Sequence, residues 1–412
     1  MKRYFSILLC LSMLLSLMLC GCGDNNDAQP TTIKATQTST ATVAATTVVT
    51  TKATAAKATE EYIPDEVEET TQKPKLTEAM KFAQKIKCGW NLGNTLEATG
   101  RRSGTLPEKY SVTDIETGWG NPKTTKAMFD KVKSAGFNAA RIPVSWCRFI
   151  NKKNGKYVIR EDFLKRVKEV VNYGYNNGMY VIINIHHDDA YEEWLHISGT
   201  DSEFSSVKTE FKQIWTQIAN YFKSYGERLI FEMANEPIGY YDDGTGDWNG
   251  GEPQYFVRLD ELYKIFVNTV RATGGNNKSR YLMIPTYGAQ SGGQIYYVKI
   301  PNNDAHVLVD IHYYTDGTNQ GALEDKFKQI AEYGRENGIA FILGECGIRA
   351  NSDPDTLSMW TLAFVRTASE YGLRCFVWDD GGDYQVLDRK GLTWVNNAYV
   401  SSFVKNAVKM SK

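Results

Sequence analysis

Net charge is the first thing this 412-residue chain lacks, with 47 basic residues set against 48 acidic ones. No overall field draws it to nucleic acid or an anionic membrane, so no nucleic-acid partner is expected and a neutral ligand fits more easily. Cysteine is also scarce. Of seven in the chain, only Cys88, Cys147, Cys346 and Cys375 lie beyond residue 22, with no CxxC pair or Cys/His cluster at zinc spacing. That pattern argues against a metal site, and neither metal nor cofactor is expected. An exported protein can pair such cysteines, but all four lie in or beside expected strands, where a buried free thiol fits equally well. A Gly-rich phosphate-binding turn after the first strand is missing too, which disfavours an open nucleotide-binding sheet.

Long apolar runs are confined to one place. Lys2 and Arg3 precede an apolar stretch from Tyr4 to Leu19, followed by Cys20-Gly21-Cys22. The stretch is short beside the ~20 residues of a membrane-spanning helix and has no closing basic flank. Leu19-Cys20-Gly21-Cys22 resembles a bacterial lipobox, so residues 1–22 are expected to be a lipoprotein signal peptide with Cys22 acylated. Plain signal cleavage and an uncleaved anchor are the alternatives. Export to the cell surface follows, with membrane contact only through the lipid. Residues 23–76 have a different composition, Thr/Ala-rich to Thr59 and acidic from Glu60 to Glu69. So little apolar surface cannot offset the entropy of ordering, and a disordered spacer is expected.

From Thr77 to residue 412 the pattern alternates between strand-like and helix-like segments. Strands are expected at Cys88–Leu92, Phe137–Val144, Tyr180–His186, Leu229–Ala234, Tyr281–Pro285, Val307–Ile311, Phe341–Gly344 and Cys375–Trp378. Amphipathic helices are expected at Thr124–Ala135, Glu161–Asn177, Phe204–Tyr225, Pro253–Thr273, Leu323–Asn337 and Asp355–Tyr371, with the weakest helical pattern after Tyr281–Pro285. Eight β/α units make an α/β fold, the (β/α)₈ TIM barrel, as one domain and an expected monomer. Strand after strand is apolar and then ends in polar or aromatic residues, where a barrel keeps its chemistry.

Two of those ends carry glutamates. Glu236 ends the fourth strand and Glu345 the seventh, nearly opposite in a ring of eight. Acetal hydrolysis needs an acid to protonate the leaving oxygen and a carboxylate to attack carbon or activate water, so this pair suits a glycosidase. Adjacent strand residues face opposite sides, so His186 and His187 are not expected to share a metal unless the strand has already ended.

The ordered set Trp90-Asn91-Leu92-Gly93-Asn94, Arg141-Ile142-Pro143, Asn184-Ile185-His186-His187, Asn235-Glu236-Pro237, Ile311-His312-Tyr313-Tyr314, Gly344-Glu345 and Val377-Trp378 resembles glycoside hydrolase family 5. The similarity is to its bacterial endo-β-1,4-glucanases, from Phe82 to Trp394 and on every strand but the fifth. It implies cleavage of internal bonds in a β-glucan by a retaining double displacement, with Glu236 as acid/base and Glu345 as nucleophile. Arg141 would hold Glu345 ionised, Asn235 would meet a sugar 2-hydroxyl, and Tyr314, His312 and His186 would orient carboxylates and sugar. Trp378 matches the platform beneath the cleaved sugar. His187 is a secondary sugar contact, and Asn94, Glu97 and Asp379 are expected at the next sugar. Trp119, Trp194 and Trp248, in loops leaving strand ends, are expected along the groove. Xyloglucanase, mixed-linkage glucanase and β-mannanase remain rival substrates, and an inactive glycan-binding barrel is a rival class that retention of both glutamates opposes. Cys346 stands where an aromatic often follows the nucleophile, and Trp378 is followed by Asp379-Asp380, which leaves the substrate range open.

Overall fold

The computed structural model describes residues 76–100 and 109–408. The expected signal peptide, Cys22 and nearly all of the spacer lie outside the described residues. Eight parallel strands close a barrel: β1 (Gly89–Asn91), β2 (Ala139–Ile142), β5 (Tyr180–Asn184), β6 (Leu229–Glu232), β7 (Leu282–Gln290), β8 (Val307–His312), β9 (Phe341–Cys346) and β10 (Arg374–Val377). All eight expected strands form, because each is an apolar run between breakers. Between β2 and β5 the chain adds a hairpin, β3 (Ile150–Lys153) and β4 (Lys156–Ile159), turned by Asn154-Gly155 with both residues at positive φ. That dipeptide is a strong hairpin signal. A second small hairpin, β11 (Leu387–Asp388) and β12 (Thr393–Trp394), follows β10.

Helices cover the outside where amphipathic periodicity placed them. The longest is Asp201–Tyr221, begun by a reciprocal cap between Thr200 and Glu203. Two expectations are corrected. The connection from β7 to β8 holds no α-helix, only 3₁₀ turns at Gly293–Tyr297 and Pro301–Asn303. The segment expected as one helix at Asp355–Tyr371 is interrupted by a π-helical turn at Thr361–Val365.

Inside the barrel, side chains are layered by the two-residue period of the strands. The lower layer is apolar: Ala139, Ile182, Ile230, Met283, Leu308, Ile342 and Phe376 pack in one cluster. Helix α1 (Glu78–Ala83), capped by Thr77, plugs it from below with Ala79 and Phe82, and Phe82 stacks on Tyr281 at 3.6 Å. Strand β1 contributes Gly89 here because the Phe376 ring fills the space, lying 1.9 Å from where a Cβ would be. Two residues further along, the inward positions turn polar: Asn91, Arg141, Asn184, Glu232 and Asp310, all fully buried. The apolar floor therefore supports a charged storey directly beneath the mouth.

This layering predicts that Gly89→Ala costs about 1–3 kcal/mol through overpacking, and that adding Phe376→Leu recovers part of the loss. Urea unfolding of the two single mutants and the double mutant measures the coupling. Strict additivity would refute the shared-space account.

Candidate active site

Arg141 is the centre of the charged storey. Its Nε and Nη2 donate to the two oxygens of Glu232 at 2.7 Å each, Nη2 also donates to Asn235 Oδ1 at 2.7 Å, and Nη1 donates to Glu345 Oε1 at 2.7 Å and Asn91 Oδ1 at 3.1 Å. All five N–H groups are used. Burial alone would disfavour the cation, but Glu232, Glu345 and Asp310 hold the guanidinium well above its ordinary range. Burial pushes the Glu232 carboxyl up to about 7 despite the attraction of Arg141.

Glu345 reaches this network through a register change. From Ile342 it is three residues on, so strict alternation would turn it out of the barrel. Strand β9 carries an extra residue against both neighbours: Ile311 pairs Leu343 while His312 pairs Glu345, and Val377 pairs Cys346 after Cys375 pairs Leu343. The bulge at Gly344 turns Glu345 inward, a common way of aiming a side chain beside a functional site. Only glycine fits there, since a Cβ would lie 2.1 Å from Asp310 Oδ1, which already accepts the Gly344 N–H at 3.0 Å.

Glu345 Oε2 accepts from the Tyr314 hydroxyl at 2.8 Å. Burial first, then the charge of Glu345, raises the Tyr314 phenol well above its usual range, so it remains a donor. Across the mouth, Glu236 Oε1 lies 2.7 Å from His312 Nδ1, whose Nε2 lies 3.1 Å from Asp310 Oδ2. Burial opposes a charged His312, yet Glu345 and Asp310 outweigh it and hold the ring well above the ordinary histidine value. The imidazolium thus donates from both nitrogens. Glu236, His312 and Glu345 bring potential ligand atoms within 4.8 Å of one another.

His186 and His187 are neutral. Burial lowers His186 well below its usual value and takes His187 down to about 4. Asn184 Oδ1 accepts the Val144 N–H at 3.0 Å, so its Nδ2 donates to His186 Nδ1 at 3.1 Å, which leaves the proton of His186 on Nε2. The two imidazoles do not face opposite sides as expected. Strand β5 ends at Asn184, and the rings meet edge to face at 4.4 Å. His186 lies parallel to Trp378 at 6.0 Å, and His187 packs against Trp119 at 5.4 Å. Asn94, at φ 55°, is partly exposed.

Three expected sugar contacts are corrected. Glu97 is fully buried and accepts the backbone N–H groups of Asn94 and Thr95, so it shapes the turn that presents Asn94. Asp379 is equally buried, accepting from Trp90 Nε1 at 2.8 Å and from the Leu387 and Gly381 N–H groups, with Arg389 beside it. Trp194 is 8% exposed and donates to Asp188 Oδ1 at 2.8 Å, which makes it a loop anchor. Trp248, by contrast, is 43% exposed. Sequence reasoning had not singled out Glu232, Asp310 or Asn184. Charged residues inside the apolar runs Leu229–Ala234 and Val307–Ile311 were the available signal.

The fixed charges predict that His186, His187 and His312 keep their protonation states from about pH 5 to pH 7, where a free imidazole titrates. Long-range ¹H–¹⁵N NMR should show a doubly protonated His312 and neutral His186 and His187 throughout that range. A transition of any of the three within it would contradict these electrostatics.

Residues 100–383 match the model of the cellulase family, glycosyl hydrolase family 5. The chain is 35% identical over 358 residues to endoglucanase B of Clostridium cellulovorans, covering 80% of this chain and 76% of that protein. Among solved structures, it is similar to a broad-specificity endoglucanase of Ruminococcus champanellensis with bound cellotriose, at TM-score 0.72 and 36% identity over 82% of this chain and 100% of that one. It is also similar to a xyloglucan-specific endo-β-1,4-glucanase from a metagenomic library, at TM-score 0.70 and 34% identity over 79% of this chain and 98% of that one. With two glutamates converging at the mouth of a (β/α)₈ barrel, the chain belongs to glycoside hydrolase family 5 and is an endo-β-1,4-glucanase.

Proposed function

We propose that this endoglucanase retains anomeric configuration, with Glu345 as nucleophile and Glu236 as acid/base. The observation that carries this reading is the convergence of Glu236 and Glu345 on one imidazolium, with atoms of all three within 4.8 Å. Retaining enzymes hold their carboxyls about 5–5.5 Å apart, whereas inverting enzymes need about 6.5–9.5 Å to admit a water.

The partners of Glu345 support its role. Glu345 has a permanent cation on Oε1 and a phenol on Oε2, and these donors hold the carboxyl in a fixed orientation at the mouth. In the first step a Glu345 oxygen bonds to the anomeric carbon, the glycosidic C–O bond breaks, and the proton of Glu236 passes to the departing 4-hydroxyl. In the second step water attacks the same carbon, Glu236 takes its proton, and Glu345 leaves as carboxylate. Asn235 has its Oδ1 fixed by Arg141, which leaves its amide N–H groups for a sugar 2-hydroxyl.

Azide separates the roles. Glu345→Gly should lose nearly all activity, and azide entering from the vacated side should give an α-glycosyl azide. Glu236→Ala with a good leaving group should still form the ester, and azide should then give a β-glycosyl azide. Exchanged anomers would reverse the assignment, and α-product released first by the wild type would eliminate retention.

A second reading, preference for a branched xyloglucan backbone, draws support from the similarity to the xyloglucan-specific enzyme. Initial rates on carboxymethylcellulose, barley glucan, xyloglucan and mannan distinguish the two. Linear cellulosic or mixed-linkage chains should be cut at least as fast as xyloglucan, and a dominant xyloglucan rate would favour the second reading.

A further inference from the structure

The missing helix between β7 and β8 leaves a gap in the outer wall of the barrel. After β7 the chain fills it with the 3₁₀ turn Gly293–Tyr297, which buries Ile295 and turns the next two side chains outward. Tyr296 is 49% exposed and Tyr297 61%, which makes them the two most exposed aromatic side chains among the described residues. Single exposed rings are common on any surface, but two in succession at the one unhelical connection are not scatter.

Neither ring is loose. Tyr297 stacks on Phe256 of the helix Pro253–Ala272, with centroids 4.3 Å apart and planes at 28°, which leaves its other face to solvent. Phe256 in turn leans on the buried ring of Tyr287 at 5.4 Å. On the opposite side Tyr296 meets the edge of Tyr333, on the helix Gln320–Asn337, at 4.9 Å. Its hydroxyl accepts from Gln329 Nε2 at 2.6 Å, and the Tyr333 hydroxyl donates to Tyr296 O at 3.4 Å. The two rings thus span the space between the helices, and rings fixed in advance lose little entropy on binding.

The chemistry of the patch selects its occupant. Burial, and then the neighbouring phenol of Tyr296, raise the Tyr333 hydroxyl above its ordinary range, and no charged side chain contributes. A neutral ligand suits such a setting. Area argues against a second protein, since the two rings expose roughly 250–300 Å², well short of the ~800 Å² that each partner gives to a stable interface. A sugar chain needs less. Each glucosyl ring of a β-1,4 chain shows an apolar C–H face edged by hydroxyls, which matches an open tyrosine face beside phenol and amide groups. The substrate of this enzyme is a polymer of such rings, so every molecule of it carries many copies of the ligand.

We propose that Tyr296 and Tyr297 form a second, non-catalytic site for a neutral β-linked glucan chain, on the outer wall between the helices Pro253–Ala272 and Gln320–Asn337. The site shares no hydrogen bond with the networks of Arg141 and His312. A polymer engaged there stays beside the enzyme between cuts, which raises its effective concentration at the mouth.

Substrate length tests the site. The double variant Tyr296→Ala/Tyr297→Ala should keep kcat/KM for cellohexaose within about twofold of the wild type, because the mouth is untouched. Its apparent Kd for barley glucan should rise about 3- to 10-fold through the lost ring faces. Retardation in native gels reads that constant, in a Glu345→Gly background that leaves the gel glucan uncut. In the active enzyme, the rate on swollen cellulose should fall by a similar factor. Tyr296→Phe/Tyr297→Phe should keep most of the retardation, since the stacking faces survive. Equal retardation and equal cellulose rates in wild type and alanine variant would overturn the site. An equal fall on cellohexaose would trace the loss to the mouth and overturn it too. Wild-type dimers in light scattering that the alanine variant abolishes, with glucan retardation unchanged, would assign the patch to a second copy of the chain instead.

Discussion

A single guanidinium holds this site together. Arg141 uses every donor it has, and its partners come from β1, β6, β9 and the loop after β6. A buried charge is tolerable only when its hydrogen bonds are complete, and removing one partner of such a pair typically costs about 3–5 kcal/mol. Lysine, a point charge with three donors, could not satisfy the same geometry. Because Arg141 binds Glu345 and the neighbour of Glu236 at once, it fixes Glu345 relative to Glu236. The His312 imidazolium repeats the arrangement on a smaller scale, bridging Glu236 and Asp310. Two buried cations thus set the positions of the carboxylates, and the barrel wall supplies the frame.

The barrel itself was legible in the sequence, since eight apolar runs with polar ends, separated by amphipathic helices, admit few other folds. Legibility failed where local pattern and tertiary need diverge. The Asn154-Gly155 hairpin carried its own turn signal and went unread. The missing helix after β7 could not be inferred from its composition, because short 3₁₀ turns such as Gly293–Tyr297 carry too few residues to show periodicity. Glu232 and Asp310 lay within runs read as apolar, and only the register of the closed barrel shows that they point inward beside Arg141.

The polar groups that converge at the strand ends were readable in the sequence, and their surroundings less so. Glu97, Asp379 and Trp194 have the residue types that sugars favour, but their polar atoms are consumed by Asn94, Thr95, Trp90, Leu387 and Asp188. Sequence reports which side chains can make a hydrogen bond, and the fold decides who receives it. Trp194 and Trp248 look alike along the chain. Trp194 is buried and donates to Asp188, whereas Trp248 is left exposed.

The bulge at Gly344 makes the direction of the Glu345 side chain a matter of parity. Counting from the apolar floor, Glu345 stands at an odd position, and only the surplus residue converts odd to even. A residue at position 344 that restored regular pairing would keep both glutamates, Arg141 and His312 in the chain, yet turn the carboxylate of Glu345 toward the helices.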